Sequence, residues 1–150
     1  MLYTLAHLPA FTIAGISIRT TNANGQAQID IGSLWQRFMQ QQVQNNIPTK
    51  INEDGYCVYT DYESDFNAPY TTIIGCMVST SEGLPEGVSC KEVAACTYRV
   101  YKPVGELPGG IMQTWTYIWQ SGIPRAYRAD FDVYRPDGSA ETYVSINEGE

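Results

Sequence analysis

RADFDVYRPDGSAETYVSI, from Arg128 to Ile146, reads as a β-hairpin. Phe131, Val133 and Tyr134 make one β-prone run and Tyr143, Val144 and Ile146 another, while Arg135-Pro136-Asp137-Gly138-Ser139 supplies turn chemistry between them. Side chains alternate along a strand, so Asp130, Asp132 and Tyr134 share one face and Phe131 and Val133 the other. The same rule puts Glu141 and Tyr143 together on one face of the returning strand. An acid in mid-strand is either a solvated edge residue or a charge placed in a concavity to meet a cation, and the rest of the chain must decide between them.

A chain of 150 residues suits one domain with a single core, so residues 1–150 are expected to form one unit. Only 17% of residues are charged, with eleven tyrosines and three tryptophans, a globular composition too apolar for disorder. The net charge of −7 argues against direct nucleic-acid binding, which needs a clustered basic patch that nine scattered Lys and Arg do not form. Cys57, Cys76, Cys90 and Cys96 form no CxxC pair, and the lone His7 completes no zinc set, so neither a metal nor a cofactor is expected. Each cysteine lies in an apolar, strand-like run, where a buried reduced thiol behaves as a small hydrophobe. The first ten residues carry no basic segment before a cleavage site, and no apolar run is long enough to span a membrane; the expected location is cytoplasmic.

Taken in order, Phe11 to Thr20 alternates as a strand and is broken at Asn22-Ala23-Asn24-Gly25. From Asp30 to about Asn45 the spacing of Ile31, Leu34, Trp35, Phe38, Met39 and Val43 predicts a helix, with Asp30 or Ser33 as N-cap. Gly55–Tyr62 and Tyr70–Ser79 read as strands joined by the turn Glu63-Ser64-Asp65-Phe66-Asn67. After a Gly/Pro/Glu linker over 82–87 the order recurs: Lys91–Tyr101 as a strand, Leu107–Trp119 as a helix, then the hairpin. Ile111, Trp115, Ile118 and Trp119 form the helical face, with Pro108 in the first turn and Gly122 at C′. Tyr56-Cys57-Val58-Tyr59 can be laid on Phe131-Asp132-Val133-Tyr134, which puts Asp132 over Cys57 and the acid in one half only.

Two strand-helix-strand-strand units, about residues 11–79 and 88–147, most simply share one curved antiparallel sheet. The expected fold is α+β, with both helices on one face and a ligand groove at the pseudo-twofold. Grooves of this kind are lined by aromatic walls with few polar groups. Trp35, Trp115 and Trp119 sit on the two helices as core or as groove wall.

Leu34-Trp35, the block GYCVYTDYESDFNAPYTTIIG (Gly55–Gly75), Trp119-Gln120-Ser121-Gly122, DFDVY (Asp130–Tyr134) and the final Glu141-x-Tyr143-Val144 together resemble the gyrase-inhibitor-like effector-binding superfamily. That superfamily includes the ligand domains of AraC- and MerR-type regulators, and the chain is most similar to its stand-alone integron-cassette-associated members, over about residues 3–147. The resemblance implies a non-enzymatic module that binds lipophilic cations with aromatic rings and one acid from a strand motif F-E-x-Y. Carried over by residue, Asp132 stands for the glutamate, Tyr134 for the following tyrosine and Tyr143 for the tyrosine of the last strand. Tyr59 and the helix tryptophans Trp35, Trp115 and Trp119 are carried over more loosely. Aspartate is one methylene shorter than glutamate, which leaves either Asp132 or Glu141 as the ligand carboxylate.

Such a site works through apolar burial at roughly 25 cal/mol per Å², cation–π attraction of about 0.5 to 2 kcal/mol per ring, and a carboxylate whose own burial raises its pKa until a cation arrives. Two other classes compete. Catalysis lacks a Ser-His-Asp or Cys-His set, though Glu141 or Asp132 with Tyr134 could act as acid and base in the manner of hydrolase-like relatives. An interaction module would make this chain, as monomer or homodimer, a partner or inhibitor of a DNA-handling enzyme, or a sensor docking to a separate DNA-binding regulator, since nothing in it resembles a helix-turn-helix.

Overall fold

The structure, a computed structural model, describes residues 3–64, 68–103 and 109–147. Its elements follow the chain as β1 (Thr4–Leu8), β2 (Phe11–Thr20), α1 (Gln26–Gln40), β3 (Gly55–Thr60), β4 (Tyr70–Val78), β5 (Ser89–Val93), β6 (Cys96–Tyr101), α2 (Gly109–Gln120), β7 (Ala129–Tyr134) and β8 (Ala140–Ser145). The eight strands form one sheet in the order β1-β6-β8-β7-β3-β4-β2-β5, antiparallel at every pairing. Outward from the central pair the order runs β7-β8-β6 on one side and β3-β4-β2 on the other. Cys57 and Asp132, which the sequence overlay places on each other, are direct cross-strand partners at that centre.

Connection lengths force the sheet to curl. β1 and β2 stand six places apart in the order, which in a flat sheet would be about 29 Å at the usual strand spacing. Only Pro9 and Ala10 join them, and three residue steps reach at most about 11 Å. Ala94-Ala95 makes the same short jump between β5 and β6. The ends of the sheet therefore approach each other, and the face they enclose fills with its own core. Ile13, Tyr56, Val58, Ile73, Val93, Tyr98, Phe131 and Val133 are buried there, with Tyr143 stacked on Phe131 at 4.6 Å between centroids. The curl also brings Phe11 of β2 to 5.5 Å from Phe131, across two intervening strands.

The opposite face carries both helices. The register sets Ile16, Ile74, Cys57, Asp132, Thr142 and Tyr101 in one row across it. Leu34 and Phe38 of α1 pack over Ile16, Cys57 and Ile74, and Ile111, Trp115 and Ile118 of α2 over Tyr101, Ala140 and Val144. Tyr59 and Tyr134 touch both groups and so lie beneath the gap between the helices.

Several elements differ from their sequence reading. β1 was not anticipated: TLAHL is a short edge strand, with Leu5 exposed, and lacks the inward alternation that signals a half-buried one. α1 begins at Gln26, directly after Gly25 in the left-handed region (φ 71°), and no side chain caps it. Asp30 is instead inside the helix, accepting hydrogen bonds from Thr20 Oγ1 (2.8 Å) and Gln26 Nε2 (2.9 Å). The strand expected over 91–101 is two, because Ala94-Ala95 carries the chain from one end of the sheet to the other. α2 closes on Ser121, whose amide and hydroxyl donate to the Ile118 carbonyl, and Gly122 is not in the left-handed conformation a C′ glycine adopts. Asp65, Phe66, Asn67, Leu107 and Pro108 lie outside the described residues.

The four cysteines are unpaired thiols, but they are not all buried: Cys57 and Cys76 are, Cys96 is half-buried, and Cys90 is exposed on the edge strand β5. Burial pushes the Cys57 thiol far above its ordinary value and that of Cys76 up to about 11. Thiolate is the reactive form. A thiol reagent at pH 8 should therefore label Cys90 fast, Cys96 more slowly, and Cys57 and Cys76 only after denaturation, when all four react.

Candidate functional site

A cavity of about 490 Å³ opens between the two helices above the centre of the sheet. The α1 side contributes Ala27, Gln28, Ile31, Gly32 and Trp35, α2 contributes Ile111, Met112, Trp115 and Trp119, and Tyr59, Tyr62, Tyr70, Arg125 and Tyr134 complete the wall. Trp35 meets Tyr134 edge to face at 5.3 Å and Tyr59 meets Trp115 at 5.2 Å, so the rings brace one another across the halves of the chain. Gly32 lies inside α1, where a Cβ would meet nothing within 4 Å. Packing does not require a glycine at that point of the wall.

Asp132 lies at the base of the cavity with no solvent exposure, which excludes the solvated-edge reading. Tyr59 Oη donates to its Oδ2 at 2.7 Å, Thr142 Oγ1 to its Oδ1 at 2.6 Å, and Trp115 Nε1 to both oxygens at 3.0 and 3.1 Å. Burial pushes the carboxyl up to about 6, against the opposing pull of these three donors. The phenols of Tyr59 and Tyr134 are likewise driven upward, first by burial and then by the Asp132 charge, and remain neutral. Tyr59 and Trp115 stand between the carboxylate and the cavity, so the charge acts from behind the rings.

A second buried acid lies two residues along the same face. Asp130 accepts at Oδ1 from the Ser145 amide (2.6 Å) and hydroxyl (2.8 Å), and at Oδ2 from Arg125 Nη2 (2.8 Å) and Tyr62 Oη. Burial disfavours the Arg125 charge, but Asp130 and Tyr62 outweigh it and keep the guanidinium protonated. The Arg125 Cζ also lies 4.3 Å from the Tyr127 ring centroid and 5.6 Å from that of Trp115.

Of the residues singled out in sequence, Trp35, Tyr59, Trp115, Trp119 and Tyr134 line the cavity, and Asp132 stands directly behind it. Glu141 and Tyr143 do not join them. Their cross-strand partners are Val133 and Phe131, on the enclosed face, so the sheet separates both from Asp132. Glu141 is held by Arg135 at 2.7 Å. This corrects the expectation that Glu141 could replace Asp132 as the ligand carboxylate or work beside it as a catalytic acid. Arg125 was missed because it sits in a connection, where no periodicity marks orientation; Tyr62 and Tyr70, at the ends of the two strand readings, were not singled out because alternation alone does not say which face meets the cavity. Thr142 could have been found, since it faces Asp132 once the hairpin register is fixed.

Residues 4–147 match the integron-associated effector-binding protein family. The chain belongs to that family. Among solved structures of the same fold is an integron cassette protein from the mobile metagenome of Vibrio cholerae, 26% identical, with a TM-score of 0.77 over 97% of this chain and 95% of that one. SAV2435, whose structure was determined with bound tetraphenylphosphonium, is 18% identical and superposes with a TM-score of 0.79 over 99% and 95% of the two chains. YobU of Bacillus subtilis (strain 168), named as a candidate transcriptional regulator, is 24% identical over 149 residues, 95% of this chain and 92% of its own. No described helix is long and apolar enough to cross a membrane.

The raised pKa of Asp132 links the floor of this cavity to stability. The folded state holds the proton more tightly than the unfolded chain, so burial of the charged form costs stability above about pH 6, and the cost vanishes as pH falls toward 4. A shift of about two units corresponds to roughly 2–3 kcal/mol. Asp132→Asn removes the charge at nearly constant shape. The variant should be more stable than wild type in urea melts at pH 7.5 by up to about 2 kcal/mol, with the difference narrowing as pH falls through about 6 and closing below about pH 4.

Proposed function

We propose that the chain is a non-catalytic binding module for lipophilic cationic small molecules, serving effector or drug sensing or sequestration. The observation that carries this reading is the Asp132 carboxylate, buried behind the rings of Tyr59 and Trp115 with no cationic partner among the described residues. Those N–H and O–H groups point their positive ends at the carboxylate, which leaves the ring faces more electron-rich toward the cavity. A monocation about 6 Å from the carboxylate gains about 3 kcal/mol at an effective dielectric near 20. Rings at that distance add their own cation–π attraction, and a delocalised cation loses little hydration on entering an apolar cavity. The tetraphenylphosphonium bound to SAV2435 is a molecule of this class.

Tetraphenylphosphonium and its neutral, isosteric carbon analogue tetraphenylmethane separate the charge from the shape. Quenching of tryptophan fluorescence should give a micromolar Kd for the cation, roughly 7 to 9 kcal/mol, and much weaker binding of the neutral compound. Cation affinity should be constant above about pH 7 and fall as pH drops through 6, because protonation of Asp132 removes the attraction. Asp132→Asn should weaken the cation tenfold or more and leave the neutral analogue nearly unchanged. Glu141→Gln, on the other side of the sheet, should alter neither. Equal affinity of wild type for both compounds would remove the cation-selective mechanism.

Gly32 supplies a size test. Alanine is favoured over glycine inside a helix by about 1 kcal/mol, and the position has room for a methyl group. Gly32→Ala should therefore raise Tm, while Gly32→Trp should block the cavity and abolish cation binding with the fold intact by circular dichroism. Retained affinity in Gly32→Trp would place the ligand elsewhere.

The alternative role, transmission of binding to a DNA-binding regulator, draws support from the regulator-like name of YobU. It adds a protein partner to the same site.

A further inference from the structure

Arg125 is a cation already present in the wall of a cavity read above as a site for cations, and it is incompletely partnered. It is more than nine-tenths buried. Its Nη2 donates to Asp130, but Nε and Nη1 are buried with no hydrogen-bond acceptor among the described residues. Asp130 cannot make good this deficit, because it already receives four hydrogen bonds: two from Ser145, one from Tyr62 and one from Arg125. A buried donor without an acceptor is costly, more so when charged, and buried polar groups of native proteins nearly always find partners.

The position of Arg125 in the cavity gives this deficit a direction. Tyr134 and Asp130 lie on the same face of β7 four residues apart, about 13 Å along the strand. Arg125 is bonded to Asp130, whereas Trp35 packs on Tyr134, so the guanidinium and the Trp35–Tyr134 pair mark opposite ends of the cavity. Asp132 lies between the two. The Arg125 end is also the polar one, carrying Asn22 and the hydroxyls of Tyr62 and Tyr70. The ring of Tyr127 lies 4.3 Å from the guanidinium and is not part of the cavity lining.

We infer that the ligand of this cavity is bifunctional: a lipophilic cation that also carries a hydrogen-bond acceptor, best an anionic one such as a carboxylate, which reaches the Arg125 guanidinium. The inference rests on the small-molecule reading above and narrows it from simple cations to cations with an acceptor on the order of 10 Å from the charge. The charge of Arg125, 5.6 Å from the Trp115 ring, biases the positive centre of the ligand toward the Tyr134 side of the Tyr59 and Trp115 rings.

Tetraethylrhodamine with its free carboxylate and the ethyl ester of the same dye test this, since both carry one xanthene cation and differ in the acceptor. Fluorescence anisotropy at pH 7.5 should show the free acid binding wild type at least tenfold more tightly than the ester. Arg125→Lys keeps a charge for Asp130 but not the additional donors, and should reduce that preference to less than twofold. Equal binding of acid and ester, or tighter binding of the ester, overturns the inference and leaves the cation reading standing, as does a preference that survives Arg125→Lys. Failure of both dyes to bind overturns both readings. Should Arg125→Lys not fold, the wild-type comparison alone decides.

Discussion

A carboxylate with no access to water persists at Asp132 because donors from three elements converge on it: Tyr59 from β3, Trp115 from α2 and Thr142 from β8. Removing an ion from water without compensation would cost many kcal/mol, so the positions of these three groups are closely tied to one another. The consequence reaches well beyond the acid. Trp115 is fixed to the sheet through its indole nitrogen, which sets how α2 lies on its strands, and Tyr59 is fixed so that its ring forms cavity wall. The gap between α1 and α2 is held open by rings anchored from below.

That anchoring depends on the curl of the sheet. Because the β1–β2 and β5–β6 connections are two residues each, the sheet closes on its enclosed face and buries Phe131, Tyr98 and Val58 without any helix. Both helices are then free to serve the other face, where neither covers the central β3–β7 pair completely. A flat sheet of the same strands would need helices on both faces, and the cavity would disappear under them. Division of labour between the faces explains why alternation in β7 is so consequential. Phe131 and Val133 build the enclosed core, while Asp130, Asp132 and Tyr134 build the site.

Much of this was legible in the sequence because it rests on local pattern. The hairpin from Ala129 to Ser145, its turn with Gly138 at φ 89°, the strand Phe11–Thr20 and the inward face of α2 all follow from periodicity and turn chemistry. So does the shared face of Asp132 and Tyr134. What was not legible depends on register between distant strands. Alternation told that Glu141 and Tyr143 share a face, but only the pairing of Tyr143 with Phe131 tells which one, and a slip of one residue would have exchanged the answer. Arg125 was invisible for a related reason: it lies in a connection, and its partner Asp130 is identified by the fold rather than by spacing. The start of α1 was misplaced because an acid at Asp30 resembles a cap, whereas here it bonds sideways to Thr20 from inside the helix.

The two buried acids show how one strand face can hold charges to different ends. Asp130 and Asp132 are two residues apart on β7 and equally inaccessible, yet Asp130 has Arg125 as a counter-charge and Asp132 has only neutral donors. Neutral donors stabilise a carboxylate less than an ion pair does, and Asp132 accordingly sits near the point where proton and charge compete, with a pKa of about 6. Near neutral pH the fold thus carries an unpaired negative charge at a cost of the order of 2–3 kcal/mol. A cation above Tyr59 and Trp115 would relieve part of that cost, and the relief would add to its binding free energy. An ion pair at Asp132 like the one at Asp130 would give a more stable protein and, by the same reasoning, one with less to gain from a cationic ligand.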